Sequence, residues 1–195
     1  MIKQILDATV ITDPWNHLLI NNIFNQLEIA LLIDAVDTLL PLITTGYIST
    51  DFQQQKLRLI AAGVNLKVIE LVEEKTKLLE TNHIDILKKL NNFNSLAKYS
   101  VSSQFGFIKN SWHFIHSDNL ESNKKAMTFV IYLTPDDAKG TVLYTGPELE
   151  NFQSIVPWKS NSGFIFAPAA DTTWHNYFHY GETARATLNF YIKQE

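Results

Sequence analysis

Hydrophobic residues in the first half of the chain recur mainly at helical spacing. Residues 26–40 and 66–79 place apolar positions three and four apart, and Pro41 ends the first of these runs. Asn82 occupies a position suited to an N-cap, which predicts a further helix through Leu90. Residues 17–21 form a short apolar run that predicts a strand. The first 95 residues are therefore expected to be mainly helical.

The pattern changes near residue 95 to short runs rich in aromatic and β-branched residues. Turn-forming residues such as Gly146-Pro147 and Asn161-Ser162-Gly163 separate these runs. The predicted strands are residues 99–109, 112–116, 127–133, 141–144, 163–167, 174–180 and 184–193. Many short strands favour a sandwich or a jelly roll. We expect one α+β domain over residues 1–195, with residues 1–95 as helical support and residues 96–195 as the β core.

Composition narrows the chemistry that such a domain can carry. The net charge of -4 argues against broad binding of nucleic acid. No cysteine is present, so any metal must be held by nitrogen and oxygen ligands. The N-terminal segment does not resemble a signal peptide, and no uncharged apolar run reaches membrane-spanning length. We therefore expect a cytoplasmic protein without a membrane partner.

The sequence contains the pattern His-x-Asp twice, at His116-Ser117-Asp118 and at His83-Ile84-Asp85. Six histidines and ten aspartates give about 0.3 such triplets by chance, so the pattern alone says little. On a strand, residues two apart share a face, so His116 and Asp118 can converge on one metal ion. On a helix they diverge by about 200°. His83 and Asp85 lie in the helical half and are interpreted as the first turn of a helix.

A third ligand must come from another histidine of the β half. His175 begins a predicted strand and is the preferred choice, and His179 on the same face is the second choice. His113 lies an odd number of positions from His116, so a regular strand would turn it to the opposite side.

The last strand alternates polar and apolar side chains with a period of two. Arg185, the only arginine of the β half, lies ten residues after His175, across a predicted hairpin. An odd number of loop residues would bring the two side chains to the same face of the sheet, whereas an even number would separate them.

Two histidines and one carboxylate form the facial triad that is typical of non-heme Fe(II) oxygenases. Such a centre leaves positions open for a 2-oxo acid and dioxygen. A buried arginine nearby suits a second carboxylate, because its planar guanidinium binds carboxylates through two hydrogen bonds. The set His116, Asp118, His175 and Arg185 therefore suggests 2-oxoglutarate as a cosubstrate.

These motifs resemble the 2-oxoglutarate- and Fe(II)-dependent dioxygenases, especially their prolyl-hydroxylase-like branch. The similarity lies in HSDN, in the 57 positions from Asp118 to His175, and in the arginine ten residues further on. FVIYL resembles the strand after His-x-Asp in that branch, and Arg-Ala-Thr at 185–187 resembles its Arg-x-Ser/Thr element. The resemblance implies a double-stranded β-helix, with Tyr132 and Thr187 beside Arg185 at the 2-oxoglutarate carboxylate.

What the family resemblance implies for function is a hydroxylase. 2-Oxoglutarate would be converted to succinate and CO2 while a small metabolite or a protein side chain is hydroxylated with O2. Fe(II) would be the metal, and ascorbate is suggested as an additional reductant. Trp112, Trp174 and Asn189 are further candidates for the substrate pocket. Residues 41–95 resemble no known family, and the sequence does not indicate the oligomeric state.

Two other hypotheses have to be kept beside this one. The chain could be a β-helix binding domain whose metal site is vestigial, but such a site should have lost one of its four residues. It could also be a cupin-type metalloenzyme, but cupins usually carry His-x-His, which is absent, and they give Arg185 no role.

Overall fold

Helices and strands divide the chain much as the sequence predicts. The computed structural model describes residues 1–120, 123–134, 139–181 and 184–195. Within these residues the α-helices are α1 (Ile2–Asp7), α2 (Gln26–Leu39), α3 (Phe52–Ala61) and α4 (Leu66–Lys89). None of the helices in the described ranges is both long and apolar enough to cross a membrane.

A capping box begins helix α2, and a proline-containing turn ends it. The Asn25 side chain accepts hydrogen bonds from the backbone N–H groups of Leu27 and Glu28, and the Glu28 carboxylate accepts one from Asn25 N–H. This capping box satisfies N–H groups that the first turn leaves unpaired. A 3-10 turn, Leu40–Leu42, contains Pro41 and ends the helix, so the prediction for residues 26–40 is confirmed.

Helix α4 is longer than predicted. Asn82 does not begin a new helix, because it lies inside α4 and its Nδ2 donates to the Leu78 carbonyl at 2.7 Å. Val72, Leu79 and Ile86 are buried at intervals of seven residues, so one apolar face continues along the whole helix. The predicted break near residue 80 is therefore wrong.

The strands form two antiparallel sheets. They are β1 (His17–Asn21), β2 (Gly46–Asp51), β3 (Tyr99–Lys109), β4 (Ser111–His116), β5 (Asn119–Leu120), β6 (Asn123–Thr134), β7 (Val142–Tyr144), β8 (Phe152–Ile155), β9 (Ser162–Phe166), β10 (Trp174–His179) and β11 (Arg185–Gln194). A seven-stranded sheet has the order β1-β9-β6-β11-β3-β2, with β5 paired to β6. A four-stranded sheet has the order β4-β10-β7-β8.

The large sheet joins both parts of the chain. Strands β1 and β2 precede residue 95, yet they form its two edges. The sequence pattern did not predict β2 or β8. Residues 46–51 alternate half-buried and exposed side chains without a strong apolar run, so the period-two signal is weak there.

Strand β11 shows how the large sheet separates the core from a second compartment. Its even-numbered residues, including Leu188 and Phe190, pack into the hydrophobic core with the helices. Its odd-numbered residues, including Thr187 and Asn189, line a cavity. Both faces are buried, so the polar side of this strand faces the cavity rather than bulk solvent.

Candidate functional site

His116, Asp118 and His175 meet in the structure. One ligand atom from each residue lies within 4.8 Å of the others, and this is the one group of its kind in the described residues. His116 at the end of β4 stands directly opposite His175 on β10, and their ring centroids are 4.4 Å apart. Nε2 of His116 is 3.7 Å from Oδ1 of Asp118. Strand pairing therefore brings His116 and His175 together, and Asp118 joins them from the bend that follows β4.

Both imidazoles are oriented by backbone carbonyl groups. Nδ1 of His116 is 2.8 Å from the Phe114 oxygen, and Nδ1 of His175 is 2.9 Å from the Thr173 oxygen. A carbonyl can only accept, so Nδ1 carries the proton and Nε2 keeps its lone pair. Burial and the neighbouring His175 lower the pKa of His116 to about 4, and burial also lowers the pKa of His175. The neutral rings are the form that binds metals.

The Asp118 carboxylate is held by two hydrogen bonds. Oδ2 accepts from Thr128 Oγ1 and Oδ1 accepts from Lys125 Nζ, each at 2.7 Å. Burial by itself would raise the pKa of this carboxyl, but the adjacent ammonium outweighs burial and keeps the pKa below its usual range. Two Nε2 lone pairs and an ionised carboxylate fit the donor set that Fe(II) takes in facial-triad sites.

Arg185 is a buried cation without a carboxylate partner among the residues that the structure covers. Its side chain lies between Trp158 and Tyr177, whose ring centroids are 4.8 and 4.7 Å from the guanidinium carbon. One amino group is 3.5 Å from Thr141 Oγ1, and the buried Nε has no hydrogen-bond partner within the described part of the chain. Burial lowers the pKa of Arg185, but arginine stays protonated at neutral pH. Because an unpaired buried charge costs several kcal/mol, this geometry favours an anionic ligand.

His175 and Arg185 face the same cavity from opposite sheets. Strand β10 pairs with β4 and β7, whereas β11 pairs with β3 and β6. The predicted hairpin between β10 and β11 is therefore wrong, and the parity of the loop does not decide the geometry. Both side chains line a cavity of about 400 Å³ that also contains His116 and Asp118.

Of the two other predicted cosubstrate residues, one lines the cavity and the other lies behind its wall. Thr187 lines the cavity, and its hydroxyl donates to the Gly106 carbonyl at 3.3 Å. Tyr132 does not line it. The Tyr132 hydroxyl lies 2.8 Å from Thr141 Oγ1, and its fully buried ring stacks on Trp158 at 4.4 Å. Tyr132 thus supports Thr141, which contacts Arg185, and its own ring centroid lies 5.6 Å from the Arg185 guanidinium carbon.

A β-bulge changes which residues of β4 enter the site. His116 pairs with His175, and His113 pairs with Tyr177. Between these two pairs β4 has two residues, Phe114 and Ile115, whereas β10 has only one. The extra residue reverses the alternation of side chains. His113 therefore lines the cavity, with its Nδ1 at 3.1 Å from that of His116. The prediction that His113 faces away is wrong, because it assumed a regular strand.

The same geometry excludes both predicted tryptophans from the pocket. Trp112 precedes His113 and points outward with 57% of its surface exposed. Trp174 precedes His175 and pairs with Tyr144. Neither lines the cavity, whereas Asn189 does. Both lie outside the lining of this cavity because neighbouring strand residues face opposite sides, and their role in a substrate pocket stays a prediction.

The second His-x-Asp pattern lies in the interior of α4, as a helical segment. This confirms the predicted helical setting, although His83 and Asp85 are not in its first turn. His179 ends β10 and does not line the cavity. Sequence reasoning missed His113, Tyr47, Tyr177, Lys125 and Thr141, which all line it.

Comparison with known proteins supports the same fold. No family model and no curated protein matches the sequence. A prolyl-4-hydroxylase from Pseudomonas putida has 11% identity and a TM-score of 0.63, over 92% of this chain and 92% of that chain. The viral collagen prolyl hydroxylase of Paramecium Bursaria Chlorella virus-1, solved as a 2OG complex, has 16% identity and a TM-score of 0.57, over 94% and 98%.

A 2OG-Fe(II) oxygenase family oxidoreductase from Burkholderia pseudomallei is also similar. It has 17% identity and a TM-score of 0.54, over 91% of this chain and 84% of that chain. The predicted resemblance to the prolyl-hydroxylase-like branch is thus confirmed at the level of the fold.

Proposed function

We propose that this protein is a 2-oxoglutarate- and Fe(II)-dependent dioxygenase that hydroxylates its substrate. The observation that carries the proposal is Arg185, a buried cation without a carboxylate partner in the described residues, in the same cavity as His116, Asp118 and His175. A metal triad alone fits many activities. An arginine in the same cavity, without a carboxylate partner among the described residues, favours a 2-oxo dicarboxylate as the second ligand.

Each part of the site has a role in this reaction. His116, Asp118 and His175 would hold Fe(II), while Arg185, with Thr187, would bind the distal carboxylate of 2-oxoglutarate. When bound, iron and 2-oxoglutarate supply the oxidation, in which one oxygen atom of O2 enters the substrate as a hydroxyl and the other enters succinate, with release of CO2. The chain binds and orients the reactants, and no general base is needed.

Supporting residues keep these groups in place. Thr128 and Lys125 hold Asp118, and the Phe114 and Thr173 carbonyls orient the two imidazoles. Aromatic rings around Arg185 exclude water and so strengthen its attraction for an anion. Tyr132 contacts both Thr141, through its hydroxyl, and Arg185, through its ring.

The topology of the two sheets and the extent of the domain are part of the same proposal. We infer that the two sheets form a double-stranded β-helix and that residues 1–195 act as one domain, since β1 and β2 complete the sheet that carries Arg185. The similar solved structures support this arrangement. Two of them are named prolyl hydroxylases, and whether this chain takes a protein side chain or a small metabolite is a separate question.

The competing hypotheses explain less. A vestigial site would not need both imidazoles oriented through Nδ1 and the carboxylate fixed by two donors. A cupin-type enzyme would leave the buried Arg185 without a function.

An absorption measurement tests the proposal. Anaerobic addition of Fe(II) and 2-oxoglutarate should produce a weak visible charge-transfer band. Arg185→Ala should lose the band at the same 2-oxoglutarate concentration, because a charged hydrogen bond of about 1.5–3 kcal/mol is removed. The control is Arg58→Ala, which removes the other arginine of the chain from the exposed surface of α3. Absence of the band from the unmodified protein, or its persistence in Arg185→Ala, would refute the proposal.

A further inference from the structure

The cavity is rich in positive charge, although the protein as a whole has a net charge of -4. Among the described residues that line it, the cationic side chains are Lys125, Arg185 and Lys193, and the only carboxylate is Asp118. A divalent metal and a doubly charged 2-oxo acid would neutralise each other. The cavity would then still hold more positive than negative charge.

Two of the three cations already have a role in the proposed function. Lys125 donates to Asp118 at 2.7 Å, and Arg185 is assigned to the cosubstrate. Lys193 forms no ion pair with any residue that the structure describes. It is half-buried and lines the cavity, so it is not an ordinary surface lysine.

Lys193 lies too far from Arg185 to share a ligand as short as 2-oxoglutarate. Both residues are on β11 and face the cavity, eight positions apart. At a rise of about 3.3 Å per residue, their Cα atoms are roughly 26 Å apart along the strand. Lys193 belongs instead to the region of Lys125, because the two are partners in the register of β11 and β6. A ligand held by Lys193 would therefore lie toward the opposite end of the cavity-facing side of β11 from Arg185.

Asn189 supplies a second observation, independent of charge. Its side chain is 5% exposed and lines the cavity midway along β11 between Arg185 and Lys193. Its side chain interacts with the Tyr191 hydroxyl, but its Oδ1 is buried and accepts no hydrogen bond from the residues that the structure describes. An unpaired buried acceptor lowers the stability of the fold by about 1–3 kcal/mol. This oxygen therefore favours a ligand that provides an N–H or O–H donor.

We propose that the substrate is a small anionic metabolite, a carboxylic acid that also carries an N–H or O–H donor. Lys193 binds its carboxylate and Asn189 Oδ1 accepts its donor. This inference rests on the proposed function, which assigns Arg185 and Lys125 to other partners. It makes Lys193 a determinant of specificity that selects acids over their uncharged analogues.

Matched pairs of probes test the proposal without knowledge of the natural substrate. The probes are N-acetyl-L-amino acids and the corresponding N-acetyl-L-amino acid amides, which share an N–H donor and differ in the carboxylate. The protein is loaded with Mn(II) and 2-oxoglutarate, and binding near the metal is measured as paramagnetic relaxation of the probe protons. We expect members of the acid series to bind and their amides to bind at least tenfold more weakly.

Variants of Lys193 identify the residue responsible. Lys193→Met should weaken binding of the acids about tenfold, which corresponds to about 1.4 kcal/mol, and should leave the weak binding of the amides unchanged. Lys193→Arg should restore the preference for acids. Lys67→Met, which removes the same charge from an exposed position on α4, is the control. Thermal unfolding of each variant checks that the fold is retained.

Three outcomes overturn the inference: equal binding of acids and amides, binding of neither series, or unchanged acid binding in Lys193→Met. The charge-transfer band of the unmodified protein separates this failure from that of the proposed function. A band without any preference for acids would refute only the substrate class. A missing band would refute the dioxygenase proposal itself.

Discussion

At the scale of single residues, the candidate site depends on groups that fix the metal-binding side chains. Each histidine uses Nδ1 for a backbone carbonyl, so its Nε2 is the atom that faces the other ligands. Asp118 is fixed through both oxygens, by Lys125 and Thr128. Such partners orient the ligands before a metal arrives, and their loss typically costs about 10–100-fold in metal affinity.

Thr128→Val tests this orientation. The substitution keeps the shape of the side chain and removes the hydrogen bond from Oγ1 to Asp118 Oδ2. We expect the affinity for Mn(II) or Fe(II) to fall about tenfold, as measured by calorimetric titration. Thr81→Val on the exposed surface of α4 is the matched control. Equal metal affinity in the two variants would show that Thr128 does not orient Asp118.

At the scale of elements, two strands decide what the cavity contains. The bulge in β4 turns His113 inward and Trp112 outward. Strand β3 lies beside β11 in the large sheet, with Gly106 opposite Thr187, where a larger residue has no room. A Cβ atom at position 106 would lie 2.9 Å from both Thr187 Oγ1 and Asn189 Nδ2. The small residue thus lets β11 present its polar side chains to the cavity.

Gly106→Ala should disturb the floor of the cavity. Thr187 and Asn189 must move to relieve the contact, and overpacking of this kind costs about 1–3 kcal/mol. We expect lower stability in urea and an affinity for 2-oxoglutarate that falls about tenfold. Ser102→Ala, on the same face of β3, is the control. The interpretation fails if Gly106→Ala binds 2-oxoglutarate as tightly as this control.

At the scale of the whole molecule, ligand groups come together from two sheets and from distant parts of the chain. The large sheet supplies Arg185, and the small sheet supplies His116 and His175. The cavity between them gathers cations whose mutual repulsion opposes folding. Binding of a metal and an anionic cosubstrate should therefore stabilise the folded protein, since neither binds the unfolded chain in this way.

Thermal unfolding measures that coupling. Mn(II) and 2-oxoglutarate, each at 100 times its dissociation constant, should each add about 2.7 kcal/mol, so each ligand raises Tm by roughly 5–10 °C for a chain of this size. EDTA should reverse the shift. The shift should disappear in His116→Ala and persist in His83→Ala and Asp85→Ala. A shift that depended on Asp85 would contradict the helical interpretation of the second His-x-Asp pattern.

The sequence by itself determined the local features of the site. Alternation along β11 identifies the face that carries Arg185, Thr187 and Asn189, because side-chain direction on a strand follows from the backbone. The same rule predicts that His116 and Asp118 converge and that His83 and Asp85 diverge, and the structure places the first pair at the end of β4 and in the bend after it, and the second inside a helix. Strong apolar runs also located most strands and the helix α2.

Only the tertiary structure decided which strands face each other. Pairing partners depend on contacts between distant segments, so β10 and β11 look like a hairpin in sequence but belong to different sheets. The bulge that admits His113 arises from pairing with β10. The roles of the two cavity lysines also follow only from the tertiary structure. Lys125 contacts Asp118, whereas Lys193 has no anionic partner among the described residues. Burial turns Arg185 from a polar residue on a strand into a cation that requires a ligand, because only enclosure removes it from water.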